Sequence, residues 1–429
     1  MNPRYLLTAI GLVFATLASA QDTQLYIVDV GPNRGAPWQV LRADADGSNP
    51  TVFIGEQLNR PQDIIFLEHR GTAIVSSLGT NRITEHDAMT GEYVGDFATG
   101  IGQPTRMEIG PDGLLYVLQW AGGKVLRYDL DGNLVDEFTD SGISNAIGMD
   151  WDSEGNLYVA SFDDTTVRKF GPDGSNQGLF ITPTGGLFGP TNIWFTDNGE
   201  LWVMDWTGGA IRRYSEQGAL LGNPVTGLSE PEGVGFLPNG HFIIGNGGTS
   251  SVKQYNANGG FVRDLLAPGA GGLAKPNGLR FHTPSDFDIN PGLNDAWFNP
   301  ATPGQGVFVT VLPGLGKIFL AMFTFEAGEP DPAATAVVGD VSHRWLTALG
   351  DYGGNQAVLN VELTSGGLFD SGEPKVDQVP AYGSFTLVFD DCDSLRLTYV
   401  FPSLGLSGTI DLVRVVNDNA ALCRELAGP

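Results

Sequence analysis

Carboxylate and amide residues recur in one short loop of a repeating unit, and their oxygens are the ligands that a hard divalent cation such as Ca²⁺ takes. Four of them form the predicted metal set: Asp63, Asn192, Glu232 and Asn277. Arg106 occupies the corresponding place in another unit, where it can pair with Asp63 or Glu232 or bind an anionic group of a ligand. The alternative is a structural role, in which these side chains hydrogen-bond the backbone of their loops.

Aromatic residues recur at a second position, in three consecutive units: Trp120, Phe162 and Trp206. Gln119 and Asp205 precede two of them. Aromatic surface beside carboxylates and amides suits sugar rings, peptides and other amphipathic ligands. These five residues, together with Arg106, are the predicted ligand-binding site, and aromatic packing between units is the alternative.

The unit that positions these residues is about 42 residues long and has two glycine turns. Each copy reads as turn, strand, loop, strand, turn, as in "GPDGLLYVLQWAGGKVLRYDLDGNL" and "TDNGELWVMDWTGGAIRRYSEQGAL". Asp-Gly and Asn-Gly favour tight hairpins because glycine reaches positive φ at low cost. A period near 42 with four short strands predicts the blade of a β-propeller. The turn glycines repeat every 41 to 44 residues, at Gly71, Gly113, Gly155, Gly199 and Gly240, and at Gly47, Gly91, Gly132, Gly174, Gly218 and Gly259.

The first glycine turn of the unit occurs five times (Gly71 to Gly240) and the second occurs six times (Gly47 to Gly259), because the N-terminal unit lacks its innermost strand. The missing strand is predicted at "KPNGLRFH" (Lys275–His282), which matches the openings of the other units at Pro61, Pro104, Pro190 and Pro231. The sequence therefore predicts a six-bladed propeller over residues 21–283, closed when its last strand joins the first blade. Closure removes the open sheet edge that would invite aggregation.

Loops on one face of such a ring converge on its axis. Each blade has an inner strand next to the axis and a second strand beside it. The two residues that follow the first residue of the inner strand are named the axial pair. The residue that follows the second strand is named the rim residue. The axial pairs are Gln62-Asp63, Thr105-Arg106, Ile147-Gly148, Thr191-Asn192, Glu232-Gly233 and Asn277-Gly278. The rim residues are Val30, Leu78, Trp120, Phe162, Trp206 and Gly247.

The unit, with its proline, apolar strand, "DG-x-LYV" and "xVxxY-x-x-DG", resembles NHL-type repeats. It is also similar to the wider six-bladed group that contains gluconolactonase-like hydrolases of the SMP-30 type, over roughly residues 24–282. That resemblance implies an axial metal held by Glu, Asn and Asp, with "PEG" (Pro231–Gly233) and "PNG" (Pro276–Gly278) in comparable places. The first full blade departs from it, since it opens with "PQD".

The ends and composition of the chain predict export. Arg4, the apolar stretch to Leu17 and Ala18-Ser19-Ala20 have the form of a signal peptide over residues 1–20, so a secreted or periplasmic protein without a membrane span is expected. The formal net charge of −26 disfavours nucleic acid as a partner. Cys392 and Cys423 are predicted to form a disulfide in an oxidising compartment.

The repeat is lost after His282, and residues 284–429 have longer strands punctuated by proline and glycine. The strands predicted here are Gly306–Leu312, Lys317–Phe325, Ala357–Leu363, Ser384–Phe389, Leu395–Phe401 and Thr409–Val415. This pattern predicts an antiparallel β-sandwich or small barrel. Trp297, Phe298 and Trp345 are expected in its core. The region resembles C-terminal modules of secreted proteins from Gram-negative bacteria, a resemblance that implies no functional residues.

The chain lacks G-x-S-x-G, H-E-x-x-H, C-x-x-C and phosphate-binding glycine motifs. The leading hypothesis is therefore a non-catalytic exported propeller that binds a small molecule, carbohydrate, peptide or protein through its aromatic face. The alternative is a metal-dependent hydrolase of lactone-like esters, with Ca²⁺ or another divalent cation and with Asp63 or Glu232 as base. A third hypothesis is a scaffold that organises an envelope complex through its C-terminal module.

Overall fold

The computed structural model describes residues 23–284, 287–325, 343–368 and 370–427. The predicted signal peptide, residues 1–20, lies outside these residues. Over the described ranges the chain forms six four-stranded antiparallel sheets and one closed eight-stranded barrel. The prediction of an all-β protein with a six-bladed propeller and a smaller antiparallel domain is confirmed.

The strands of the propeller are numbered β1 to β24 in chain order. They are Gln24–Asp29, Gln39–Asp44, Thr51–Ile54, Pro61–Leu67, Thr72–Ser77, Arg82–Asp87, Tyr93–Thr99, Pro104–Ile109, Leu115–Gln119, Leu126–Tyr128, Leu134–Glu137, Ala146–Trp151, Leu157–Ser161, Thr166–Phe170, Asn176–Ile181, Pro190–Phe195, Leu201–Asp205, Ala210–Tyr214, Leu220–Thr226, Pro231–Phe236, Phe242–Asn246, Ser251–Tyr255, Phe261–Leu266 and Pro276–His282. Single 3₁₀ turns interrupt the described chain at Pro32–Arg34, Glu68–Arg70, Leu78–Thr80, Gly247–Thr249, Ala270–Gly272, Pro291–Leu293, Pro313–Leu315 and Pro402–Leu404.

The ring closes through the first blade, whose strand order is β24-β1-β2-β3. The last strand pairs antiparallel with the first, with Gln24 opposite His282 and Ile27 opposite Leu279. The other five blades each use four consecutive strands. The turn glycines adopt the positive φ that the Asp-Gly turns require, as at Gly132 (φ 90°).

Alternate residues of each sheet face the neighbouring blades, so the apolar core lies between blades. Six clusters of buried side chains, one at each junction between blades, are present in the described residues. The cluster between the last and first blades contains Leu25, Ile243 and Leu279. Burial of this apolar surface fixes the blades side by side, and with them the loops that converge on the axis.

The C-terminal domain is a barrel of eight strands in the described residues, β25 to β32. They are Asp295–Phe298, Gly306–Leu312, Lys317–Phe325, His343–Gly353, Gln356–Leu368, Ser371–Val388, Ser394–Phe401 and Leu406–Arg414. A short helix, α1 (Ala420–Leu426), follows. The sequence pattern missed the first and fourth of these strands. Of the two predicted architectures, the barrel is the one present, because β25 pairs with β32.

The expectation for Trp345 is wrong. Trp297 is fully buried and packs edge-on against Phe389, but 59% of Trp345 is exposed. Successive residues of a strand point to opposite sides of a barrel wall. Leu346 and Ala348 point inward, so Trp345 lies on the outside. Phe298, also expected in the core, is only half-buried.

The disulfide between Cys392 and Cys423 is present, with its Cα atoms 5.8 Å apart, and this prediction is confirmed. It ties α1 to the barrel, since Cys423 lies in the helix and Cys392 lies in the turn before β31. No helix of the described ranges has the length and apolar character needed to traverse a bilayer.

Candidate functional site at the propeller axis

The pairing register of every inner strand shifts at its axial pair. In the third blade, for example, Pro104 pairs with Gln119 and the next paired residue is Met107, so Thr105 and Arg106 have no partner on the neighbouring strand. Such β-bulges re-aim side chains that a regular strand would point at its neighbours. Here they turn the axial pairs toward the centre of the ring.

The two members of an axial pair reach different levels of the axis. First members line a pocket of about 110 Å³ at one end of the axis: Gln62, Ile147, Thr191, Glu232 and Asn277. Second members line a separate channel of about 360 Å³: Asp63, Arg106, Asn192 and Gly278.

Three of the second members are glycines because the space near the axis leaves no room for a Cβ atom at these positions. A Cβ atom on Gly148 would lie 1.9 Å from the carbonyl oxygen of Thr191, and one on Gly233 would lie 2.4 Å from that of Asn277. Real Cβ atoms do not approach other atoms so closely. The glycines leave room for the three polar second members, of which Arg106 is the largest.

Arg106 connects four blades between the pocket and the channel. Its guanidinium donates from Nη1 to the carbonyl oxygen of Gln62 and from Nη2 to that of Asn277, the latter at 2.9 Å. Nη2 also lies 3.6 Å from Oε1 of Glu232. The side chain of Arg106 is almost fully buried, and these partners replace the hydration of Nη1 and Nη2, whereas its buried Nε has no hydrogen-bond partner among the described residues. The predicted pairing of Arg106 with Glu232 is present, and Arg106 lines the channel rather than the pocket.

Glu232 and Asn277 complete the floor of the pocket. With the Asn277 amide turned to satisfy its neighbours, its nitrogen donates to Glu232 Oε2 at 2.7 Å and its oxygen accepts from Gln62 Nε2 at 3.2 Å. Burial raises the pKa of Glu232, and the charge of Arg106 is the largest effect that lowers it. The floor is thus a hydrogen-bonded network of one cation, one carboxyl group and two amides.

The four predicted metal ligands are divided by this network. Asp63 and Asn192 line the channel, whereas Glu232 and Asn277 line the pocket. The two groups differ because the first are second members of axial pairs and the others are first members. Across the described ranges, no group of three or more His, Cys, Asp or Glu side chains has an arrangement suited to a metal ion.

Five of the six rim residues line the pocket: Val30, Leu78, Trp120, Phe162 and Trp206. The three aromatic rings form a continuous arc, with centroids 5.6 Å apart from Trp120 to Phe162 and 5.9 Å apart from Phe162 to Trp206. The backbone fixes each of them, since the N–H of every rim residue donates to the carbonyl of the residue before the inner strand, as from Trp206 to Gly189 at 2.8 Å.

The indole groups of the arc differ in their polar contacts. Trp120 Nε1 donates to the side-chain oxygen of Asn145 at 2.8 Å, in the amide orientation that also satisfies Asp163. Trp206 Nε1 is buried and has no hydrogen-bond partner among the described residues. A buried donor of this kind is costly unless a ligand or water accepts from it.

Gln119 and Asp205, also predicted to bind ligand, do not line the pocket. Gln119 Oε1 accepts from the backbone of Gly102 at 2.9 Å. Asp205 is fully buried, accepts from the backbone of Phe188 and pairs with Arg212 at 2.6 Å. They end the second strands, where side chains tie down the loop that leads to the neighbouring inner strand. The structure therefore places them behind the rim, in supporting positions.

Two arginines that the sequence analysis did not single out line the pocket, Arg34 and Arg60. Arg34 belongs to the loop after β1, which spans residues 30–38 and is longer than the loop after any other second strand of the propeller. Arg60 precedes the inner strand that begins at Pro61 and has a positive φ of 53°. The length of the first loop was a signal that could have identified Arg34.

Comparisons with known proteins give distant similarities. No protein-family model matches the chain, and no curated protein matches it. A solved structure of a protein of unknown function from Bacteroides caccae is 15% identical, with a TM-score of 0.49, and the match covers 61% of this chain and 98% of that chain. A virginiamycin B lyase from Staphylococcus aureus is 13% identical, with a TM-score of 0.41, and 56% and 88% of the two chains are covered. A putative gluconolactonase is 17% identical, with a TM-score of 0.39, and 53% and 86% are covered. The function proposed below depends on none of them.

Proposed function

We propose that the protein is an exported β-propeller that binds a ligand in the axial pocket, through Trp120, Phe162 and Trp206. The observation that carries this proposal is that rim residues and first axial residues from separate blades line one cavity. Such a cavity is concave, has an aromatic wall and has a few fixed polar groups, which are the usual properties of small-ligand sites.

The size of the pocket limits what it can hold. At about 110 Å³ it is smaller than the roughly 300–1,000 Å³ of sites that enclose whole drug-sized molecules. One ring or one side chain fits this space. The ligand is therefore a compact molecule, or the end of a carbohydrate or peptide whose remainder lies outside the pocket.

Binding agrees better with the floor of the pocket than catalysis does. Arg106 and Glu232 bond to each other and to backbone or amide groups, so their polar atoms hold the floor together. The alternative function, a metal-dependent lactone hydrolase, would need a divalent cation among Asp63, Asn192, Glu232 and Asn277. The guanidinium of Arg106 lies in that region and would repel the cation.

The location outside the cytoplasm is part of the proposal. It is supported by the signal-peptide pattern of residues 1–20 and by the Cys392–Cys423 disulfide, since such bonds persist in oxidising compartments.

The test compares the wild type with the Trp120→Ala/Trp206→Ala double variant on arrays of glycans and peptides and in thermal-shift screens of small molecules. Trp345→Ala, which removes an exposed tryptophan from the barrel, is the matched control. We expect ligands of the wild type to be retained by the control and lost by the double variant. If the folded double variant keeps every interaction of the wild type, the proposal is wrong.

Elemental analysis separates the two functions. Stoichiometric Ca, Mn or Zn in gently prepared protein, lost in a Glu232→Gln variant that remains folded, would favour the hydrolase over the binding protein.

A further inference from the structure

The axial pocket concentrates positive charge on a protein whose formal net charge is −26. Arg34 and Arg60 both line it, and neither has an ion-pair partner among the described residues. Burial is the largest cause that lowers the pKa of Arg60, the charge of Arg34 lowers it further, and the charge of Glu232 raises it. Two positive side chains that line one pocket without an ion pair of their own favour a bound anion.

Two carboxyl groups lie near these arginines, and the charge of Glu232 acts on both of them, raising the pKa of Arg60, while the charge of Arg34 lowers the pKa of Glu232. Glu232 is paired with Arg106, and Glu230 is paired with Lys275. Each of these carboxylates thus has its own cation, and Arg34 and Arg60 are left in excess. The pocket is therefore locally cationic within an acidic protein.

The positive groups adjoin the aromatic arc. The guanidinium carbon of Arg34 lies 5.6 Å from the ring centroid of Trp206, and Nζ of Lys275 lies 5.7 Å from the same centroid. Cation–π contacts at these distances hold the side chains beside the ring. A ligand that stacks on Trp206 would accordingly have a cationic group within reach of its substituents.

We propose that the pocket binds a carboxylate carried by a ring-containing molecule or sugar residue, with Arg34 and Arg60 binding the carboxylate and Phe162 and Trp206 contacting the ring. This inference rests on the proposed function and adds the chemical class of the ligand. Arginine recognises carboxylates through paired N–H donors. A monoanion suits the site better than a phosphate dianion, because Glu232 in the floor repels the second negative charge.

The test uses pairs of probes that differ only in charge: benzoate against benzamide, and glucuronate against glucuronamide, with inorganic phosphate as a third arm. The eight tryptophans give eight indole N–H signals in a ¹⁵N-labelled protein, and Trp→Phe variants assign those of Trp120 and Trp206. Titration shifts of these two signals report binding at the pocket.

We expect at least one acid to bind the wild type about 10-fold to 100-fold more tightly than its amide, as for hydrogen bonds to a charged group. Arg34→Gln/Arg60→Gln should abolish that preference, so that the acid and its amide bind with equal affinity. Arg168→Gln, on the outer part of the fourth blade, is the matched control and should keep the preference. Added salt should weaken binding of the acid more than binding of the amide.

The remaining outcomes separate the two proposals. Equal binding of acids and amides would overturn the carboxylate inference and leave the binding function standing. Tighter binding of phosphate than of either acid would overturn the carboxylate in favour of a phosphate group. If no probe moves the Trp120 and Trp206 signals, the carboxylate inference is wrong. The binding function then stands or falls with the array comparison of the wild type and the Trp120→Ala/Trp206→Ala variant.

Discussion

Replacing Arg106 by methionine tests whether the axial network holds the ring together. The change keeps a long side chain but removes the guanidinium from the carbonyl oxygens of Gln62 and Asn277 and from Glu232. At 3.6 Å and an effective dielectric constant of about 20, the attraction between Arg106 and Glu232 is roughly 4–5 kcal/mol before desolvation is subtracted. Breaking one partner of a buried pair typically costs about 3–5 kcal/mol.

We therefore expect Arg106→Met to lower the free energy of unfolding by about 3–5 kcal/mol at pH 7.5. Glu232→Gln should cost less, and the double variant should cost at least about 1 kcal/mol less than the sum of the single changes, since neither charge is then left unpaired. Urea unfolding followed by tryptophan fluorescence and far-UV circular dichroism gives these values. Arg168→Met is the control for loss of an arginine outside the axis.

The loss of stability caused by Arg106→Met should depend on pH. Burial raises the pKa of Glu232, and removing Arg106 raises this pKa further. A carboxyl group whose pKa is raised by folding contributes stability below its unfolded pKa and loses that contribution as pH rises through its folded pKa. The cost of Arg106→Met should thus be smaller at pH 4.5 than at pH 7.5. A cost below about 1 kcal/mol, additivity in the double variant, or a cost that does not change with pH would each contradict the reasoning.

Three further changes test other parts of the structure. Gly148→Ala should cost about 3 kcal/mol or prevent folding, because its Cβ would lie 1.9 Å from the Thr191 carbonyl, whereas Gly314→Ala, with no atom near the new Cβ, should have little effect on the melting temperature. Burial raises the pKa of Asp150 to about 6, so its contribution to stability is present below about pH 4 and lost as pH rises through 6. The free energy of unfolding of Asp150→Asn, relative to that of the wild type, should therefore rise by up to about 3 kcal/mol between pH 4 and 7.5 in urea unfolding. A difference that does not change with pH would refute the raised pKa. Cys392→Ala/Cys423→Ala should lower the stability of the barrel by about 3–4 kcal/mol for a loop of this length, and an unchanged melting temperature would contradict this.

Much of the fold could be predicted because short sequence patterns specify it. The turn glycines recur within each blade, and each hairpin depends on residues that are neighbours in sequence. Counting turns gave the six blades, and the unmatched "KPNGLRFH" gave the closing strand, which pairs with β1. The equivalence of Trp120, Phe162 and Trp206 followed from the same period.

The barrel was harder to predict because its strands lack a repeat. The pattern did not contain the two missed strands, and one of them carries Trp345. The side of the barrel wall that a residue faces depends on the register of its strand with the neighbouring strands. The aromatic character of Trp345 therefore could not show that its side chain lies on the outside.

The sequence by itself determined the ring, its closure and the positions from which side chains can reach the axis, because each depends on short-range turn chemistry repeated along the chain. Tertiary structure decided which of those side chains meet. Arg106 bonds to a residue 171 positions away, and Arg34 and Arg60 come together only when the first and second blades lie side by side. The different depths that the two members of an axial pair reach and the burial of charge depend on contacts between blades, and no local pattern contains them.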